Sequence, residues 1–176
     1  IRTTANIATG YSRGNSRLSA VMGQIAGKND QEVFVRGYGG EIIRGFYSRQ
    51  NKKMTGDLVK DFYMLYKTQR VKEPSEVFHS FLLDATEGFI ERANYNSDLY
   101  NLDLRDLFYW EQRMGSWAAN MHNEMDPAVY SITGLNSRPL YEAAFGLEPK
   151  ERLGAQIMLE ITKMYDERFA NIGVVS

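Results

Sequence analysis

Apolar residues recur every three or four positions along most of this chain, and Val33-Phe34-Val35 is its one convincing strand-like run. Spacing of three and four gathers side chains on one face of an α-helix, whereas a continuous β-branched and aromatic run suits a strand. Leu18, Val21, Met22 and Ile25 keep the helical period behind a cap at Asn15 or Ser16, and Gly27 ends that run. Thr55 is placed to cap a helix through residue 68, with Leu58, Phe62 and Leu65 on one face. Pro74-Ser75-Glu76 opens a longer helix to residue 94, carrying Phe78, Leu82, Ala85, Phe89 and Ile90. Asp103 caps the next, over residues 104–122, with Leu107, Phe108, Met114 and Trp117 inward. A short helix over 138–145 follows, and Pro149 suits a first helical turn, where its missing N–H costs little. The last helix spans 155–169. Its Ile157, Leu159, Ile161 and Met164 can pack inside or against another subunit. Residues 1–14 read as a loop with a short helical piece at 5–9, Gly173 marks a frayed tail, and residues 125–135, with Pro127 and Gly134, read as a long irregular connection. The fold class expected is mainly α: a single helical domain over residues 1–176 with one short strand.

Composition narrows the functions open to such a domain. A length of 176 residues suffices for one ordinary core, and fractions of 43% hydrophobic and 24% charged residues are those of a globular protein. The net charge of −1 gives no bulk attraction to nucleic acid or anionic membrane. No apolar run approaches the roughly 20 residues that span a bilayer, and the chain opens on no signal-peptide pattern. With no cysteine there is no disulfide framework, thiolate zinc site or cysteine nucleophile. These features fit a cytoplasmic protein. The first residue is Ile1, so the expectation is a C-terminal fragment of a longer protein.

The strand runs straight into Arg36-Gly37-Tyr38-Gly39-Gly40-Glu41, and Glu41 then opens an apolar helix with Ile42, Ile43, Phe46 and Tyr47. Strand, glycine turn and helix start together make a physically suitable anion site. Glycines let backbone N–H groups of Gly37, Gly39 and Gly40 approach a phosphate, and a helix N-terminus adds positive potential. Glu41 could hold Mg²⁺ bridging phosphate oxygens, and Arg36 and Arg44 could touch phosphate directly. The simpler account is that the glycines turn the chain and Glu41 complements the helix dipole. The segment is neither a Walker A loop nor a dinucleotide fingerprint.

Residues 36–47, RGYGGEIIRGFY, resemble the SGxGxDExFGGY segment of the asparagine-synthetase-like ATP pyrophosphatases. Gly37, Gly39, Gly45 and Tyr47 match, and Glu41 stands where the family has its first carboxylate. A second stretch, Leu135-Asn136-Ser137-Arg138-Pro139-Leu140 with Ala143-Ala144 and Leu147-Glu148-Pro149, is similar to the family's PFLDxRLVExALxLPP segment. The helix with Trp110, Arg113, Met114 and Trp117 is similar to the one preceding that segment. The likeness covers roughly residues 30–155 and implies the helical C-terminal part of a synthetase domain. It implies ATP and Mg²⁺ as cofactors, with Arg36, Gly37, Tyr38, Gly39, Gly40 and Arg44 on the nucleotide, Glu41 on the metal, and Arg113 and Arg138 in catalytic positions. Tyr38 replaces a glutamate that the asparagine enzymes use in amide formation, and Asn136 replaces an aspartate. Both departures point away from asparagine synthesis and toward another acceptor. No SGGxDS-type phosphate loop occurs in the chain, so the resemblance implies an upstream nucleotide-binding domain as a partner.

Other residues have simpler accounts. His79 lies beside Phe78 and Phe81 and reads as a partly buried structural histidine; His122 sits near a helix end, where an imidazolium suits the dipole. Glu111, Arg113, Glu124 and Asp126 read as a solvated helix face or a substrate-facing cluster. Phe62-Tyr63, Tyr66 and Phe108-Tyr109-Trp110, interleaved with Lys60, Lys67 and Arg70, read as core aromatics; base stacking is the rival, and the near-neutral charge weighs against it. Lys150 lies in the general region of a family lysine that contacts pyrophosphate, in a register left open. The leading expectation is part of an ATP-dependent adenylate-forming enzyme, ligase or amidotransferase-like, acting with a nucleotide and a small-molecule acceptor. The rival is a non-catalytic helical interaction or homo-oligomerisation module, and a third reading is an ATP pyrophosphatase that modifies tRNA.

Overall fold

A computed structural model describes residue 7 and residues 33–48, 53–67, 75–96, 99, 102–126, 129–153 and 156–170. The expected helix behind Asn15 or Ser16 and most of the piece at 5–9 lie outside the described residues. The chain gathers into two compact units, one of residues 1–43 and 109–146, the other of residues 44–108 and 147–176. The described residues are mainly helical, as the apolar spacing implies.

In the first unit, β1 (Val33–Arg36) pairs in parallel with β2 (Tyr130–Thr133), Val33 opposite Tyr130 and Arg36 opposite Thr133. The sequence shows one strand, and the second falls inside the stretch read as irregular. Tyr130-Ser131-Ile132-Thr133 alternates side-chain character with period two, but its polar members face inward and its apolar members outward. Val33, Val35, Tyr130 and Ile132 are exposed, while Phe34, Arg36, Ser131 and Thr133 are half-buried. That inversion is why the run does not look like a core strand.

Helix α1 (Gly40–Ile43) follows β1. It stops four residues short of the expected Tyr47, because Gly45 takes the left-handed conformation at φ 61° and turns the chain. A π-helical segment (Tyr109–Ala118) continues as α5 (Ala119–Met125), so the single α-helix expected over 104–122 is replaced in its middle by wider turns. After β2 comes α6 (Arg138–Phe145), which packs on α1. Ile42, Ile43, Tyr109, Ala118, Met121, Met125, Tyr141 and Ala144 form the unit's buried core.

The second unit is built on α2 (Leu58–Lys67), α3 (Glu76–Arg92) and α4 (Leu104–Phe108), then α7 (Pro149–Arg152), α8 (Gln156–Tyr165) and α9 (Glu167–Ala170). Its core is aromatic: Phe62 stacks on Phe108 at 4.3 Å between ring centres, and Tyr95 and Phe89 meet these rings edge-on or tilted. The cap of α2 is Asp57, which accepts from the Lys60 N–H at 3.1 Å, rather than Thr55. Thr55 is instead held through its N–H and hydroxyl by the buried Asp61 carboxylate. Ser75 caps α3 by accepting from the Phe78 N–H, and Asp103 caps α4, as the sequence suggests. Pro149 opens α7 inside a capping box formed by Glu148 and Glu151. No helix among the described residues is long and apolar enough to cross a membrane.

Candidate functional site

The glycine turn is shaped first by packing. Gly39 sits at φ 99°, and a Cβ there would collide with the Tyr141 hydroxyl and press on the Leu135 carbonyl oxygen at 3.2 Å. The Gly40 N–H donates to the Gly37 carbonyl oxygen, and the N–H groups of Ile42 and Ile43 donate to Gly39. Part of the backbone proposed to cradle phosphate is therefore used to close the turn. Helix α1, at four residues, has too few aligned peptides to add a strong macrodipole. Gly37 is open, with nothing near its absent side chain.

Around the turn the expected residues separate. Arg36 lies over the rings of Phe34 and Tyr38, at 5.4 and 4.7 Å, and donates to the Met121 carbonyl oxygen at 3.3 Å. Glu41 is half-buried, with Oε2 enclosed and without a hydrogen-bond partner. Its charge, second to burial, pushes the neighbouring Tyr141 phenol up. Arg44 belongs to the second unit. Arg113 lies over the Trp117 ring at 4.8 Å. Arg138 is on the surface, bonded to Glu142 at 2.7 Å across one helical turn, a position that ties the start of α6 rather than facing a cavity. Lys150 is exposed.

An open pocket of about 390 Å³ lies in the first unit, and none of those residues lines it. Its walls are Ile42, the π-helical face with Trp110, Glu111, Met114 and Gly115, the start of α5, and Thr133, Asn136 and Tyr141. Trp110 is fixed by edge contact with Tyr141 at 4.9 Å and by Phe145 at 5.8 Å. Gly115 has nothing near its absent Cβ, so the wall there is bare backbone. A ligand here would meet Ile42, Trp110, Met114 and Tyr141 beside the polar Glu111, His122, Thr133 and Asn136, a mixed lining that a small molecule can use.

His122 also lines the pocket, and both its ring nitrogens are engaged by β2. Nδ1 meets the Ser131 hydroxyl at 2.5 Å and Nε2 meets the Thr133 hydroxyl at 2.8 Å. A neutral imidazole offers one donor and one acceptor, which two hydroxyls can match. Burial, then the nearby Arg36 charge, holds His122 below the usual imidazole value; Asp126 and Ser131 oppose this more weakly. The imidazolium expected at the helix end is therefore replaced by a neutral ring bound sideways to the strand. His79, expected to be partly buried, is exposed and bonded to the Tyr63 hydroxyl at 2.5 Å in the second unit.

Sequence reasoning missed Tyr141, Thr133 and Gly115. The Ser-x-Thr pair at 131 and 133 was the available signal, since alternate residues of a strand share a face. No group of three or more acidic or histidine side chains among the described residues could hold a metal alone. Mg²⁺ is commonly bound through one or two carboxylates plus substrate phosphates and water, and the one observation at Glu41 that bears on this is an Oε2 without a hydrogen-bond partner. Comparison with protein-family models, curated proteins and solved structures finds no match to this chain.

Proposed function

We propose that this protein is part of an ATP-dependent adenylate-forming enzyme, asparagine-synthetase-like in type, whose first unit receives the acceptor in the pocket beside His122. The supporting observation is that three segments carrying the resemblance border one cavity: the residue after Glu41, the helix from Trp110, and the turn at Asn136. Mg²⁺ would neutralise phosphate charge as a substrate oxygen attacks the α-phosphorus and pyrophosphate leaves. Glu41 would hold the ion through its carboxylate. Gly37, the open member of the turn, would let a phosphate come close, with Arg36 next to it in the chain. The chain's own contribution is positioning: Trp110 and Tyr141 fix the walls, and neutral His122 presents no competing charge.

The exposed apolar face of the β1–β2 sheet supports a covering partner. Parallel strands are normally covered on both faces, whereas Val33, Val35, Tyr130 and Ile132 are exposed. A nucleotide-binding domain of the same enzyme would supply that cover. Magnesium-dependent ATP binding by the full-length protein tests the reading. Loss of binding in Glu41→Ala is expected, and unchanged binding removes Glu41 from the site. The rival interaction module is favoured by one observation, the exposed Val77, Phe78 and Phe81 of α3. It predicts concentration-dependent self-association without nucleotide binding.

A further inference from the structure

We propose that the face of the π-helical segment bearing Arg113 and Trp117 is an oxyanion-binding site for a small phosphoryl or carboxylate group. Neither residue lines the pocket beside His122, so this site is a second one, and it does not rest on the adenylate-forming reading.

The Arg113 guanidinium lies 4.8 Å from the Trp117 ring centre. Tyr38 meets Trp117 edge-on at 5.4 Å, and the Arg36 guanidinium lies 4.7 Å from Tyr38. Two cations and two electron-rich rings therefore form one run of contacts within the first unit. Among the described residues neither guanidinium has a carboxylate partner within ion-pair distance. Arg36 has the Met121 carbonyl oxygen. Arg113 Nε and the Trp117 indole nitrogen are both enclosed, and neither has an acceptor.

Packing accounts for these contacts but not for the donors. Contact with an aromatic face holds a guanidinium in place without using its N–H groups, which lie in its plane. An enclosed donor without an acceptor is destabilising, and two on neighbouring stacked groups are an uncommon expense. A carboxylate or phosphoryl oxygen is the acceptor that an arginine fork matches best, with two parallel charge-assisted bonds. His122, held neutral against Tyr38 at 5.6 Å, leaves arginine as the charge that the ligand meets.

Calorimetric titration of the full chain with inorganic pyrophosphate, inorganic phosphate and acetate, at matched ionic strength, tests the site. Saturable binding of at least one is expected, weakened about tenfold or more in Arg113→Gln, as for loss of a charge-assisted pair. Arg113→Lys keeps the charge without the fork and should bind with intermediate affinity. Trp117→Phe keeps a ring without the indole donor and should weaken binding a few-fold. Binding of phosphate or pyrophosphate alone assigns a phosphoryl ligand, and binding of acetate assigns a carboxylate. No saturable binding by any of the three overturns the proposal, as does unchanged affinity in Arg113→Gln. If Arg113→Gln fails to fold, full affinity in Arg113→Lys overturns it instead.

Discussion

At Gly39 and His122 single residues carry two different kinds of constraint. Gly39 has a left-handed φ and no room for a methyl group, so strain and collision act together. Gly39→Ala should lower unfolding free energy by about 2–3 kcal/mol in urea titration, whereas Gly37→Ala, which meets nothing, should stay within about 0.5 kcal/mol. Similar losses at both positions would mean that the turn is not organised around Tyr141. For His122 the folded state binds its proton less readily than the unfolded chain, where the imidazole titrates near its free value of about 6.5. As pH falls from that value toward the lower folded value, the unfolded state gains the proton first. The stability from a neutral His122 is therefore full above the unfolded pKa and is lost on acidification through that window. The ring proton signals of His122 should titrate below those of a free imidazole, and a midpoint at or above the free value contradicts this. Thr133→Val removes the hydroxyl at Nε2 and should destabilise the protein by about 1–2 kcal/mol at neutral pH.

Among the elements, helices were more legible than strands or the π-helical segment. The caps Ser75 and Asp103 and the first-turn Pro149 stand where side-chain chemistry indicates. Thr55 and Asp57 are equally good caps by residue type, and the buried Asp61 decided between them by taking Thr55 for itself. Strand β2 was hidden because its inward residues are hydroxyls serving a histidine eleven or fewer positions away. Nothing in residues 109–118 marks wider turns, since their apolar spacing also fits an ordinary α-helix. In the second unit, Asp106 and Arg152 are a fully buried pair at 2.8 Å, and Asp106 also accepts from the Ser48 N–H at 3.2 Å. Burial, aided by Asp103, pushes the Asp106 carboxyl up, while Arg152 and Ser48 pull it down. Sequence distance concealed that pair. Asp106→Ala removes the buried carboxylate that meets Arg152 and the Ser48 N–H, and should cost about 3–5 kcal/mol of stability. A loss under about 1 kcal/mol in chemical denaturation would show that the pair is dispensable.

Across the whole molecule, the mainly helical character followed from apolar period, while the candidate site followed only in part. The glycine turn, the helix from Trp110 and the segment at Asn136 were all singled out by resemblance, and each touches or adjoins the pocket. Their residues were assigned differently by packing: Gly39 accommodates Tyr141, Arg138 pairs with Glu142 on the surface, and Arg36 stacks on aromatic rings. Backbone hydrogen bonds and ring contacts between distant segments decide such roles, and periodicity does not reveal them. The function we propose stands or falls on the pocket beside His122 receiving the acceptor of an adenylate-forming reaction. Gly115 offers a direct way to close it, because a side chain there meets open space and would narrow the cavity without a clash. The decisive measurement is acceptor-dependent pyrophosphate release by the full-length protein, screened over candidate amines and other nucleophiles, in wild type and Gly115→Leu. Gly115→Leu should bind magnesium–ATP as wild type does but lose acceptor-stimulated release by about tenfold or more, the effect of about 1.4 kcal/mol at the acceptor step. Unchanged stimulation in Gly115→Leu, or no pyrophosphate release from wild type with any acceptor, would contradict it.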